Sequence, residues 1–373
     1  MSRERLPKLD HALFLAIAAS SDYYSSSSSS YYDVPVYIVG TYKQGAAPLA
    51  MTYLAHAWVQ QTVPAASKTF NDLYGITVIS LRDVWAVGQY TDDKTHRAQA
   101  LIEHFNGKKW AYVPSPMSKY GAYLYSVRVV APNEIYAAGS TFIDTMGHYR
   151  GLLEEWNGKR WFIVKNNLSA QIRSNYAFVD APFSVIGDKG VSVAAINAYV
   201  NQSTRGALAV WGSAGSDRFA LHYVNVPAGE TNTTIAGIVP WGTTGNLLVA
   251  GNASGKSTNS FKPLVQIWNG RKWTVKLAPE IGTGSYFSGV AYSSKVGGLV
   301  IGAYDDTPTH SFARALSFNG TTLRDLNVPK QSGSYDGVTR IGNTNAFWLI
   351  GNSGSSGTTV SEPYVNLAKC TPF

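Results

Sequence analysis

The sequence contains one cysteine, Cys370, so no disulfide can form within the chain. A single thiol neither requires nor excludes an oxidising compartment. Charge is also sparse: only 14% of residues are charged, and the 31 basic residues, against 23 acidic ones, are scattered without a Lys/Arg run. Nucleic-acid-binding domains usually cluster their basic residues on one face, so we expect no nucleic-acid partner.

Long apolar runs are missing as well. The stretch from Ala12 to Ala19 has eight residues, too few to span a membrane. It follows basic residues and precedes small ones, as in a secretory signal peptide, but the repeat described below needs a β-strand at this position. We favour the strand. A secreted or cell-surface location is expected, with a cytoplasmic location as the alternative.

Motifs for catalysis and metal binding are absent. No Ser/His/Asp set can be assembled from local sequence, and no paired His/Cys spacing suggests zinc. "AGNASGKS", from Ala250 to Ser257, approximates a phosphate-binding loop, yet the chain continues into an apolar run with Pro263 instead of a helix. We therefore predict no catalytic residue, no metal and no cofactor.

Repetition is what the sequence does contain. "EHFNGKKWAYV" starts at Glu103 and "EEWNGKRWFIV" at Glu154, with fainter copies at Gln266 and Leu316. In each copy an Asn-Gly pair lies between runs of aromatic and β-branched residues, which predicts a β-hairpin. Asn-Gly is typical of two-residue turns whose central residues both have φ > 0.

A second phrase precedes each hairpin, as in "DVWAVG" and "EIYAAG". Its last residues lie at positions 40, 88, 139, 195, 251, 302 and 351, a spacing of about 50 residues, and we call them anchors. With the apolar run before it, each unit predicts four antiparallel strands, A to D, with the anchor at the end of strand B. Large residues start strand D, and four recurring tryptophans are expected to be core wedges: Trp58, Trp110, Trp161 and Trp273.

Seven copies of four antiparallel strands predict an all-β fold, a seven-bladed β-propeller. The last unit lacks its fourth strand, while the N-terminal "RERLPK" resembles "RDLNVPK" at 324–330. We expect the N-terminal strand to complete the last blade and close the ring, which removes an exposed sheet edge. The whole chain would be one propeller domain, with blades at 10–64, 72–115, 122–166, 175–227, 233–279, 285–329, and 334–373 plus 2–8.

"DVWAVG" combined with "EHFNGKKW" or "EEWNGKRW" resembles bacterial kelch-like propellers, the group labelled galactose-oxidase-like central domains. The resemblance covers most of the chain and implies the propeller fold. It implies little about function, since propellers host unrelated activities. A copper-radical site of the oxidase type needs a cysteine cross-linked to a tyrosine, and the only thiol here, Cys370, is the fourth residue from the end of the sequence.

Three B–C loops contain Asp, His and Arg in that order, and the B–C and D–A loops of a propeller share one face. The candidates are Asp93, His96 and Arg97 in blade two, Asp144, His148 and Arg150 in blade three, and Asp306, His310 and Arg314 in blade six. Local pairing inherited with the repeat is the favoured interpretation. A shared ligand rim, or a metal or catalytic centre, are the alternatives.

Aromatic residues gather near the D–A loops of that face: Tyr120, Tyr123, Tyr125, Tyr176, Tyr286 and Tyr335, with Phe178 and Phe287 beside them. Aromatic rings flanked by polar groups suit sugars or peptide side chains, although about half must point between blades because strand side chains alternate. The favoured function is non-catalytic recognition of a glycan or protein through this face.

Two alternatives remain open. One is a self-assembling structural subunit, a homo-oligomer in contact through the tyrosines around the six-serine run at 25–30, namely Tyr23, Tyr24, Tyr31 and Tyr32. The other is an enzyme that acts on a polysaccharide or ester in the central funnel.

Overall fold

The computed structural model describes residues 1–20, 34–165, 177–178, 184–186, 191–200, 203–211, 220–242, 245–255, 261–307, 310–342, 344–354 and 362–371. Within these ranges the chain is all β, and its strands form seven separate antiparallel sheets. The first strands of consecutive sheets contact one another around a central axis. The predicted seven-bladed β-propeller is therefore confirmed.

The strands, numbered in chain order, follow the repeat. The closing strand is β1 (Ser2–Arg3). Blade one contains β2 (Leu13–Ala19), β3 (Val36–Tyr42), β4 (Ala47–Leu54) and β5 (Ala57–Gln61). Blade two contains β6 (Asn71–Ser80), β7 (Asp83–Thr91), β8 (Ala98–Phe105) and β9 (Trp110–Tyr112). Blade three contains β10 (Ala122–Ala131), β11 (Glu134–Phe142), β12 (Tyr149–Trp156) and β13 (Trp161–Ile163).

Blade four has a first strand in two pieces, β14 (Ala177–Phe178) and β15 (Ser184–Ile186), followed by β16 (Val191–Val200), β17 (Ser203–Trp211) and β18 (Ala220–Tyr223). Blade five contains β19 (Asn232–Trp241), β20 (Asn246–Ser254), β21 (Lys262–Trp268) and β22 (Trp273–Leu277). Blade six contains β23 (Gly284–Ser293), β24 (Gly297–Thr307), β25 (His310–Phe318) and β26 (Leu323–Asp325). Blade seven contains β27 (Ser334–Arg340), β28 (Ala346–Ser353) and β29 (Glu362–Lys369).

The ring closes as expected. Ser2 and Arg3 of β1 pair with Leu367 and Asn366 of β29, so the N-terminus supplies the fourth strand of blade seven. The apolar stretch near the N-terminus is β2, the first strand of blade one. No helix in the described part of the chain is long and apolar enough to cross a membrane.

The anchor glycines lie inside strand B, not at its end as predicted. Opposite them, strand A carries a β-bulge in blades one, two, three, five, six and seven. A Cβ on an anchor glycine would lie 1.9–2.1 Å from a carbonyl oxygen of strand A. Only glycine permits this approach, which explains why the residue recurs. In blade four the anchor position is occupied by Ile196, one residue later than predicted. Asn197, the next residue, makes the same inter-blade hydrogen bonds as Asn252, which follows the anchor glycine of blade five.

Three of the four predicted tryptophans, Trp58, Trp110 and Trp161, are buried wedges between blades. Trp58 of blade one packs on Trp348 of blade seven, with ring centroids 5.5 Å apart. Trp161 of blade three packs in the same way on Trp85 of blade two, at 5.6 Å. These two tryptophans contact strand B of the preceding blade, whereas the ring of Trp273 packs on Trp268 of its own blade. Aromatic pairs of this kind add about 0.5–1.5 kcal/mol beyond area burial.

The Asn-Gly turns differ from the prediction. Phe105 pairs with Trp110, so the connection has four residues and not two. Of the Asn-Gly pair, only Gly107 has a positive φ, 86°, while Asn106 accepts two backbone N–H groups through its side chain. The two-residue turn with both φ positive occurs in blade one, at Ala55 and His56.

Candidate functional site

The B–C and D–A loops share one face, as expected. Ser67, in the D–A loop that enters blade two, donates to Asp93 of the B–C loop at 2.9 Å. Arg97, at the other end of that B–C loop, donates to the carbonyl oxygen of Lys119 in the next D–A loop and lies over the Tyr120 ring. The loop face of blade two is thus held by hydrogen bonds between neighbouring loops.

The Asp-His-Arg series does not form one repeated cluster. In blade two the structure does not join His96 to Asp93: His96 is exposed and donates its backbone N–H to Asp92. In blade three Asp144 and His148 do meet, with Oδ2 and Nδ1 2.5 Å apart, and the hydrogen bond from His148 lowers the pKa of Asp144. Arg150 is exposed on β12.

Blade six departs further. Asp306 and His310 are exposed at opposite ends of the B–C loop. Arg314 lies inside strand β25, only 3% exposed, with a bidentate ion pair to Asp325 and a third hydrogen bond to the carbonyl oxygen of Pro279. Arg314 therefore fastens strand C to strand D and to the preceding blade, which corrects its prediction as a rim residue. No set of three metal-ligating side chains occurs in the described ranges.

The predicted tyrosines divide into core and surface. Tyr335 is fully buried, its hydroxyl accepts from Asn366 at 2.7 Å, and its ring packs on Tyr364. It is a core residue, which corrects its prediction as a ligand-facing group. Tyr286 is half-buried, and burial raises the pKa of its phenol. Tyr176 lies outside the described residues, as do Tyr23, Tyr24, Tyr31 and Tyr32.

Five aromatic rings form a continuous chain from blade two into blade three. We call this chain the tyrosine arc; its members are Tyr74, Tyr125, Tyr123, Phe142 and Tyr149. Successive ring centroids are 5.7, 5.3, 5.6 and 6.1 Å apart. All five side chains are partly exposed. Tyr74 and Tyr125 are the bulged residues of their first strands, so the bulge that the anchor glycine permits also positions these rings.

Polar groups support one end of the arc. The Tyr74 hydroxyl donates to Asp72 Oδ2 at 3.0 Å and accepts from Gln89 Nε2 at 2.5 Å. Burial raises the pKa of Asp72, and burial together with the Asp72 charge raises the pKa of Tyr74. Tyr74 is therefore a neutral phenol at physiological pH, held in one orientation.

A second carboxylate lies on the first strand of blade seven. Asp336 accepts from the Ser334 hydroxyl at 2.6 Å and from Asn352 at 2.7 Å, and burial raises its pKa to about 6. Asn352 also bonds the backbone of Phe14 in blade one. Asp336 thus supports the contact between blades seven and one.

Sequence reasoning missed Asp72, Tyr74 and Asp336. A signal for Tyr74 and Asp336 was present, because these two residues and Tyr125 each follow the residue that pairs with the anchor glycine of their blade. Aligning the blades on the anchors places these three residues at one repeat position.

Comparison with known proteins supports the fold. No protein-family model matches the chain, and no curated protein matches it in sequence. Among solved structures, YCF48 from Cyanidioschyzon merolae is 12% identical, with a TM-score of 0.51 over 98% of each chain. An ulvan lyase, described as a new family of polysaccharide lyase, is 9% identical, with a TM-score of 0.56 over 98% of this chain and 96% of that one.

A third match, prolyl oligopeptidase B from Galerina marginata, is 10% identical, with a TM-score of 0.53 over 97% of this chain and 52% of that one. The chain is a seven-bladed β-propeller. At such identities the likeness is one of fold, and the three matched proteins have unrelated descriptions, so the propeller alone does not decide function. The kelch-like group suggested by the repeat motifs is not confirmed by any family match.

Proposed function

We propose that this propeller is a recognition protein that binds a glycan on its B–C/D–A face, with the tyrosine arc as the contact surface. The observation that carries the proposal is the chain of five partly exposed rings across blades two and three. Sugar rings present apolar C–H faces that stack on aromatic rings, and their hydroxyls need hydrogen-bonding partners at the edges.

The raised phenol pKa values favour binding over catalysis at the arc. A tyrosine that acts as a base must lose its proton near neutral pH. Burial acts in the opposite direction on Tyr74 of the arc, and on Tyr286 of blade six, because it penalises the phenolate. These hydroxyls therefore serve as hydrogen-bond donors and acceptors.

A glycan array followed by calorimetric titration of the strongest ligand tests the proposal. Tyr123→Ala and Tyr125→Ala each remove a buried contact of about 1.5–3 kcal/mol, so Kd should rise by about 10- to 150-fold. Tyr123→Phe keeps the ring and should retain more affinity than Tyr123→Ala. Tyr292→Ala is the matched control, since Tyr292 is also half-buried but packs on Trp241 near the A–B turns.

The proposal fails if no glycan binds, or if the control variant loses as much affinity as the arc variants. Circular dichroism and urea unfolding of each variant separate a loss of binding from a loss of fold. Self-association through the tyrosines near the serine run remains a separate prediction, and light scattering over a range of protein concentrations tests it.

A second candidate function, an enzyme that acts on a polysaccharide, has one observation in its favour. Asp336 lies on a first strand, and its pKa of about 6 suits a general acid or base. Polysaccharide turnover that is lost in Asp336→Asn while glycan binding persists would support this function. Absence of turnover on every glycan that binds would remove it.

A further inference from the structure

The three Asn-Gly turns of blades two, three and five hold pairs of cations in one repeated geometry. Gly107, Gly158 and Gly270 have φ values of 86°, 85° and 86°. In each turn the asparagine side-chain oxygen accepts the backbone N–H groups of the two residues that follow the glycine, at 2.9–3.1 Å. Those following residues are Lys108 and Lys109, Lys159 and Arg160, and Arg271 and Lys272.

We call these six residues the basic rim. All six are exposed, and none has an ion-pair partner in the described part of the chain. Because strands C and D run the same way in every blade of the ring, their turns lie on one face of the propeller, opposite the tyrosine arc. Cations that are scattered along the sequence therefore become one surface.

The A–B turns lie on the same face and add to it. A Cβ on Gly107 would lie 2.6 Å from the Cβ of Arg82, so the A–B turn of blade two lies against its C–D turn and contributes a further exposed cation. Fewer acidic groups lie here, and two of them are hydrogen-bonded: Asp83 accepts from His104 at 2.9 Å and Glu134 from Tyr136 at 3.0 Å.

The opposite face has a different balance of charge. There Asp92 and Asp93 directly precede Lys94, Asp144 pairs with His148, and Lys262 bonds Glu230 at 3.0 Å. The protein has a formal net charge of +8. The described A–B/C–D face carries an excess of unpaired cations, whereas both signs alternate on the loop face.

Exposed apolar side chains accompany the rim. Leu81, beside Arg82 in the A–B turn of blade two, is 41% exposed, and Leu54, next to the C–D turn of blade one, is 47% exposed. A flat face that combines basic residues from several blades with exposed leucines at its turns matches a planar anionic partner with an apolar interior. A basic face also fits a linear polyanion, but a polyanion offers no apolar interior for the exposed leucines, so the bilayer is the better match.

We propose that the basic rim binds the anionic headgroups of a lipid bilayer, so that the propeller lies with its A–B/C–D face on the membrane. The tyrosine arc then faces away from the bilayer, free to bind its ligand. The association is peripheral: the rim supplies attraction to the headgroups, and Leu54 and Leu81 reach the boundary of the acyl chains.

Vesicle co-sedimentation tests this proposal with the full chain. The wild-type protein should bind phosphatidylcholine vesicles that contain about 30% phosphatidylserine and ignore pure phosphatidylcholine vesicles. Binding should weaken as salt rises from about 0.1 M to about 0.5 M, because screening shortens the reach of the charges.

The decisive comparison is between two four-fold variants of equal charge change. The rim variant is K108Q/K109Q/K159Q/R160Q, which keeps both Asn-Gly pairs. The control variant is K43Q/K68Q/K94Q/K330Q, whose lysines are exposed on the opposite face. At about five-fold per cation, the rim variant should lose at least about 100-fold in vesicle affinity, and the control variant less than about three-fold.

Leu81→Asn supplies an independent check. It should weaken vesicle binding severalfold without changing the salt dependence, because it removes apolar insertion and leaves the charges in place. A wild-type protein that does not bind anionic vesicles at low salt overturns the proposal. So does an equal loss in the two four-fold variants, or binding to heparin or duplex DNA with no binding to vesicles.

Discussion

Replacement of Glu103 by methionine should stabilise the propeller, and more strongly as pH rises. Glu103 lies in strand C of blade two with no exposed surface, and neither carboxylate oxygen has a hydrogen-bond partner in the described part of the chain. The equivalent strand C position, opposite the residue two before the anchor, holds Met51 in blade one, Glu154 in blade three and Gln266 in blade five. Methionine thus already occurs at this position in the ring.

The neighbouring blades show what Glu103 lacks. Glu154 accepts from the Ser115 hydroxyl at 2.9 Å, and Gln266 bonds both the N–H and the carbonyl of Asn225. Ser115 and Asn225 lie in the segments that connect the preceding blade to the blade of their glutamate or glutamine partner. The segment that precedes blade two instead reads Val63-Pro64-Ala65. Pro64 has no N–H, and Ala65 has no hydroxyl. Burial without a donor raises the pKa of Glu103 from 4.5 to about 8.

The raised pKa of Glu103 makes the stability of the fold depend on pH. Because the folded protein holds the Glu103 proton more tightly than the unfolded chain, the contribution of Glu103 to stability is most favourable below pH 4.5 and falls as pH rises towards 8. At about 1.4 kcal/mol per pH unit, the wild type loses about 3 kcal/mol by pH 7 and about 5 kcal/mol at pH 9. Glu103→Met removes this loss, so its advantage over the wild type should grow across the same window.

Urea unfolding followed by tryptophan fluorescence at about pH 5, 7 and 9 measures the effect. Glu362→Met, at an exposed glutamate, is the matched control and should leave the pH dependence unchanged. A Glu103→Met protein that is no more stable than the wild type at pH 9, or whose advantage is the same at all three pH values, would refute the reasoning. A partner for Glu103 would then have to exist.

Two further predictions concern the fold. Gly139→Ala would place a Cβ 1.9 Å from a strand A carbonyl oxygen and should cost about 1–3 kcal/mol or more in denaturant unfolding, whereas Gly284→Ala, where the nearest atom is a flexible carboxylate 3.1 Å away, should change stability by less than about 1 kcal/mol. Deletion of residues 1–5 removes β1 and its backbone hydrogen bonds, each worth about 1 kcal/mol, and should lower Tm by scanning calorimetry. Alanine at both Ser2 and Arg3 keeps the backbone pairing and should leave Tm unchanged, since both side chains are exposed.

The fold could be predicted because its determinants are local and repeated. A close backbone approach requires the anchor glycine in six of the seven blades, and four blades carry a tryptophan at the start of strand D, so both residues recur often enough to reveal the repeat. The turns were predicted as hairpins but with the wrong length. The asparagine side chain satisfies two N–H groups of a longer connection, and a dipeptide pattern does not distinguish the two geometries.

The candidate site was harder to predict, because the bulge interrupts the alternation of strand A. Tyr335 pairs with its anchor glycine and points into the core, whereas Tyr125, one position later in its own blade, is the bulged residue and joins the arc. A strict period of two assigns such residues to the wrong side. Arg314 was assigned to the B–C loop because the start of strand C was predicted too late. Strand β25 begins at His310, so Arg314 lies four residues inside the strand.

A crystal structure of the protein with the strongest oligosaccharide from the glycan array tests the central claim most directly. We expect density for a sugar ring in van der Waals contact with Tyr123 and Tyr125, on the B–C/D–A face of blades two and three. Density on the A–B/C–D face, on the outer strands, or in the funnel without contact to these rings would contradict it.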